Sequence, residues 1–212
     1  MGQNVSTTIC NFGNEQDQPE KPADKQKRRI SSLSTPNPSK SPSEKGHSLV
    51  PDHDFQIDSK YKTILKKYWT EIAKQKPEIF HIVLLKCFEA SPKLTTIISC
   101  GKPCQQKLDE WPRLKEISDL MLKFFENMVV TNELNSDYVK EQATNLGKKH
   151  KSFARYGMQP HYLNIIDQKF MEELNEIKID DLQDKKDFID GWTLVMAYVI
   201  ERTFYAYSNA NI

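Results

Sequence analysis

From about Asp58 onward, apolar residues recur at spacings of three and four with only short breaks, and no segment sustains an alternating period of two. That pattern belongs to amphipathic helices, so the chain predicts an all-α body of roughly 150 residues. Asp58 suits the cap of a first helix carrying Tyr61, Leu65, Tyr68, Trp69 and Ile72, and Pro77 suits the first turn of a second. The second is short and very apolar, running from Ile79 through Val83, Leu84 and Cys87 to Phe88. It stops at Ala90-Ser91, because a residue before proline is pushed out of helical geometry. Pro92 opens a brief helical turn, and a polar loop with Gly101 and Pro103 follows. Leu114, Ile117, Met121, Phe124, Phe125 and Met128 mark the next helix, and Val139, Ala143, Leu146, His150 and Phe153 the one after it. Gly157 and Pro160 break the chain before a helix with Leu163, Ile166, Phe170, Met171 and Leu174. Asp180 or Asp181 then caps a last helix whose face is Phe188, Trp192, Val195, Val199 and Thr203.

Residues 1–55 differ in kind. They hold most of the proline and serine and few apolar residues at any period, so they cannot bury enough surface to offset chain entropy. The expectation is a disordered tail over 1–55 and one domain over 56–209. A net charge of +1 and a pI near 7.6 give no electrostatic case for nucleic acid. No apolar run approaches the roughly 18–20 residues of a membrane span, and the polar N-terminus has no signal-peptide core. The expected location is the cytoplasm, where Cys10, Cys87, Cys100 and Cys104 are most simply free thiols.

His150 shares its face with Leu146 and Phe153, while Lys148, Lys149 and Lys151 fall on other sides of the same helix. An inward imidazole must find a buried hydrogen-bond partner or a metal, since leaving it unsatisfied costs about 1–3 kcal/mol. The competing reading is an exposed histidine in a basic run. Spacing alone leaves both open.

Several features in register resemble the globin family, in particular neuroglobin-like and nematode globins. Trp69 is followed 23 positions later by Pro92, with Leu84-Leu85-Lys86-Cys87-Phe88 between them. Leu146-Gly147-Lys148-Lys149-His150 is similar to the run that carries the proximal haem ligand, and Phe153, Gly157, Pro160, Tyr162 and Trp192 follow in the expected order. The resemblance spans about residues 58–208. It implies a three-over-three stack of helices A–H, haem b as cofactor, and His150 as the iron ligand, its other ring nitrogen held by a carbonyl or hydroxyl of the same helix. Around the ring it places Leu84, Phe88, Met121, Phe125, Met158, Leu163 and Ile166.

Two positions depart from the pattern. Ile98 stands where globins carry a phenylalanine against the haem, and the distal position falls on Ile117, or on Glu116 if the alignment slips by one. Ile117 fits the inward stripe and Glu116 does not. No histidine lies on that helix, so five-coordinate iron is expected, and bound oxygen lacks a hydrogen bond worth about 0.5–1.5 kcal/mol. The resemblance also makes Cys100 and Cys104 a candidate redox pair in the loop after the third helix.

Met1-Gly2-Gln3-Asn4-Val5-Ser6 fits the N-myristoylation pattern at Gly2. One acyl chain holds a membrane only marginally, and Cys10 or the cluster Lys25, Lys27, Arg28 and Arg29 offers a second signal. Ser31 and Ser41 stand in kinase-type contexts, where phosphate would weaken attraction to anionic lipid. The functional expectation is a haem globin that binds O2, NO or CO at the inner face of a membrane and acts as a gas or redox sensor, not a bulk oxygen carrier. A haemless globin-fold adaptor and an electron-transfer protein with weak peroxidase- or NO-dioxygenase-like activity are the other readings. A Gly2→Ala chain is expected to leave the membrane fraction of fractionated cells, and undiminished retention would remove the anchor.

Overall fold

The computed structural model describes residues 53–102 and 107–210. Seven α-helices account for most of them, in the order the apolar stripes predict. Helix α1 (Ser59–Gln75) is capped by the Asp58 carboxylate, which accepts from the Lys60 N–H at 2.8 Å. Helix α2 (Ile79–Ala90) ends at Ser91, extended ahead of Pro92, and α3 (Lys93–Ile98) follows. After a 3-10 turn at Leu108–Glu110, α4 (Pro112–Glu126) starts on its proline.

The chain then widens into a π turn at Asn127–Thr131, closed by the Asn132 side chain donating to the Asn127 carbonyl at 2.9 Å. Glu133 and Leu134 follow in left-handed backbone, with Leu134 buried as a plug. Asn135 caps α5 (Ser136–Ser152) by accepting from the Tyr138 N–H at 3.1 Å. A 3-10 turn at Ala154–Tyr156 closes on Gly157 at φ +91°, and α6 (Tyr162–Glu176) resumes. Of the two aspartates eligible as the last cap, Asp181 serves, accepting from the Asp184 N–H at 2.8 Å at the head of α7 (Leu182–Asn209). With 28 residues, α7 spans about 42 Å and gives the other helices a common support.

Helices α1, α4 and α5 lie across α2, α6 and α7. Where the layers cross, Trp69, Phe80, Phe125, Phe170 and Trp192 fill the centre: the two indoles sit 5.0 Å apart, and Phe80 stacks on Phe125 at 5.3 Å and on Phe170 at 5.0 Å. Burying each such ring stabilises the fold by roughly 1.5–3 kcal/mol. That gain outweighs the indole N–H groups of Trp69 and Trp192, which find no acceptor among the described residues.

The packed body reaches back beyond the expected boundary between residues 55 and 56. Phe55 is buried beside the Tyr198 ring at 5.1 Å, Asp54 pairs with Lys140 of α5 at 2.8 Å, and His53 lies 3.4 Å from Glu201 of α7. Periodicity overlooks this clasp because a lone aromatic has no period. The tail positions Gly2, Cys10, Ser31 and Ser41 lie outside the described residues, as does Cys104; Cys100 is half-buried at a left-handed position closing α3.

Helix α5 packs closely on α7 at Gly147. A methyl group on Gly147 would lie 2.4 Å from the Thr203 carbonyl oxygen and 2.6 Å from the Ala206 Cβ, so the residue is glycine because backbone occupies its side-chain space. Gly191 differs, since a methyl there meets only the mobile end of Leu65 at 3.2 Å and Tyr61 Cβ at 3.3 Å. Gly147→Ala is expected to lower the unfolding free energy by about 1–3 kcal/mol in urea titration. Gly191→Ala is expected to lower it by less, and equal losses would contradict the assignment.

Candidate functional site

The site is built from α5 outward. Three contacts fasten α5 and the corner after it to α7: Thr203 Oγ1 donates to the Ala143 carbonyl at 3.2 Å, Arg202 Nε donates to Thr144 Oγ1 at 3.0 Å, and Tyr207 Oη donates to the Met158 carbonyl at 2.7 Å. Helix α4 is held separately, against α2 and α1. Helices α4 and α5 are not among the closely packed pairs, and the half-buried apolar positions on both mark the region between them as the candidate site.

The apolar stripe of α5 is therefore divided. Val139 and Ala143 are fully buried near α7, whereas Leu146, His150 and Phe153 are only half-buried. From α4, Ile117 and Met121, one turn apart on the same face, are half-buried as well. Glu116, the other candidate for the distal position, is solvent-exposed and paired with Arg113 at 2.6 Å, so α4 turns Ile117 inward.

His150 settles between its two sequence readings. Its Nδ1 lies 2.8 Å from the Leu146 carbonyl oxygen one turn back. A carbonyl only accepts, so Nδ1 carries the proton and Nε2 keeps its lone pair. Among the described residues this is the ring's one hydrogen bond. The residue is half-buried, and protein closely surrounds its imidazole. Burial pushes its pKa below the ordinary 6.5 and the Lys149 charge adds to that, against the opposing pull of the Leu146 bond. The ring is accordingly neutral at pH 7, as a metal ligand must be.

The remaining pocket candidates divide by depth. Ile98 and Ile166 are half-buried like Ile117 and Met121; Leu84, Phe88, Met158 and Leu163 are buried behind them. Phe125 belongs to the aromatic core, stacked between Phe80 and Phe170 rather than placed in the candidate site. The stripe on α4 could not show this, because Phe125 follows Met121 by one turn and the face it shares curves into the centre of the fold. Leu108 and Trp111, half-buried against the core at the start of α4, escaped the sequence reading because they precede the periodic stretch.

Among the described residues, no three His, Cys, Asp or Glu side chains converge to hold a metal ion. His150 can serve a metal only if the metal brings its other donors with it, as in a macrocycle.

No family model and no curated protein matches the sequence. Among solved structures, a hexacoordinated haem protein from an anhydrobiotic tardigrade, determined at pH 4, superposes with a TM-score of 0.60 at 16% identity. The alignment covers 73% of this chain and 97% of that one. The likeness shows the fold, which is all-helical and globin-like.

The lowered pKa of His150 has a consequence for stability. As pH falls below 6.5 the unfolded chain takes up a proton before the folded one, so the contribution of neutral His150 is complete above that pH and is lost as pH falls through the folded pKa. Urea titrations between pH 5 and 7.5 are expected to show wild type losing stability toward acid relative to His150→Leu. Parallel profiles would contradict it.

Proposed function

We propose that this chain binds haem b between α4 and α5, with His150 Nε2 as its axial base, and that a diatomic gas is its ligand. The observation that supports this most directly is the His150 ring, fixed through Nδ1 so that Nε2 keeps its lone pair, on a face it shares with the half-buried Leu146 and Phe153. Bound there, an iron porphyrin supplies an open coordination position for O2, NO or CO. The Leu146 carbonyl holds the tautomer and raises the basicity of the ring. The α5–α7 seam at Gly147 fixes the height of the imidazole, and the aliphatic walls exclude water that would promote oxidation.

On α4, Ile117 offers no proton. Oxygen therefore lacks a hydrogen bond worth about 0.5–1.5 kcal/mol, at most about tenfold in affinity, whereas NO and CO lose little. The similar tardigrade protein is six-coordinate by its own description. Here the histidines of the described body other than His150 are His53 in the clasp, His81 on α2 and His161 before α6, and none stands on α4, so the proposed haem is five-coordinate. With the Gly2 motif, this chemistry reads as membrane-tethered gas or redox sensing.

Purified protein titrated with haem is expected to give a Soret band, a five-coordinate ferrous spectrum and a CO adduct, with His150→Gly losing the imidazole-ligated form. Absence of a Soret band at saturating haem would turn the reading toward a haemless adaptor. A low-spin bis-imidazole spectrum would remove the five-coordinate assignment.

A further inference from the structure

Positive charge collects toward the C-terminal end of α5 and the turn after it. Residues 142–166 contain no Asp or Glu, and Lys148, Lys149, Lys151 and Arg155 fall on the last turn of α5 and the 3-10 turn after it. Lys148, Lys149 and Arg155 are exposed. The Lys151 ammonium lies 4.9 Å from the Tyr207 ring centroid and the Arg155 guanidinium 4.9 Å from that of Tyr156, so each cation rests on an aromatic plate. Among the described residues none of Lys148, Lys151 and Arg155 is in an ion pair, whereas Lys60, Lys67, Lys115 and Lys186 each face an aspartate. The next stretch is the reverse: residues 167–190 hold nine Asp and Glu against four Lys.

We infer that this edge docks on an anionic lipid surface. Two features favour lipid over an acidic protein. A protein interface needs an apolar centre ringed by polar residues, and none of the large exposed apolar side chains, Leu120, Leu182 and Leu194, lies in residues 142–166. The described chain also starts on the same helix, since Asp54 is tied to Lys140, eight residues or about 12 Å before Lys148. A lipid-bound tail would hold the body within reach, and each cation near an anionic surface strengthens attachment by roughly fivefold. Docked this way, the α5 side of the candidate site turns toward the membrane. The tether comes from the reading above, and the test keeps the two apart.

The full chain, made without an N-myristoyltransferase, is sedimented with phosphatidylcholine vesicles with and without phosphatidylserine. Wild type is expected to bind only when phosphatidylserine is present and to release as salt is raised. Lys148→Glu/Lys151→Glu/Arg155→Glu is expected to bind at least about tenfold more weakly, with unchanged near-UV circular dichroism. The alanine triple serves if the reversal disturbs folding. Four alanines at Lys25, Lys27, Arg28 and Arg29 should remove only part of the binding. Equal binding to both vesicles, unchanged binding by the body variants, or complete loss in the tail variant would overturn the docking. Capture by polyglutamate with indifference to phosphatidylserine would assign the edge to an acidic protein instead. Membrane loss by acylated Gly2→Ala bears on the tether alone.

Discussion

The backbone-to-backbone approach of α5 and α7 is the constraint on which the site depends. Because Gly147 has no side chain, α5 settles against the Thr203 carbonyl and Ala206 and is then held by the bonds from Thr203 and Arg202. A helix seated that deeply on one neighbour has little surface left for another. Farther along the same stripe, Leu146, His150 and Phe153 keep partial exposure.

The aromatic centre plays the complementary part. Trp69, Phe80, Phe125, Phe170 and Trp192 tie α1, α2, α4, α6 and α7 together and leave α5 out. Helix α4 gives its Phe125 to that centre and keeps Ile117 and Met121 half-buried. Helix α4 is thus as firmly based as the helix that carries His150, through different contacts.

The helices, the Asp58 cap and the position of His150 were legible in sequence, because each follows from local spacing or capping chemistry. Depth was not. A three-and-four period reports which residues share a face but not whether that face meets a helix or a space, so Val139 and His150 look alike in sequence and differ in burial. Ile117 and Glu116 were separable only by the expectation that the stripe points inward, and the Arg113–Glu116 pair shows the physical reason. The π turn at Asn127–Thr131 adds a residue to a helical turn without disturbing composition, and the Phe55 clasp depends on partners more than eighty positions away. Neither leaves a local trace.

That clasp also sets where mechanical load enters the body. Residues 1–52 join the body at a strap fastened by Phe55 under Tyr198 and by Asp54 to Lys140. Lys140 and His150 lie on one continuous helix, ten residues or about 15 Å apart. Movement of the strap at Asp54 is therefore passed to the helix that carries His150, at a point between its cap and that residue.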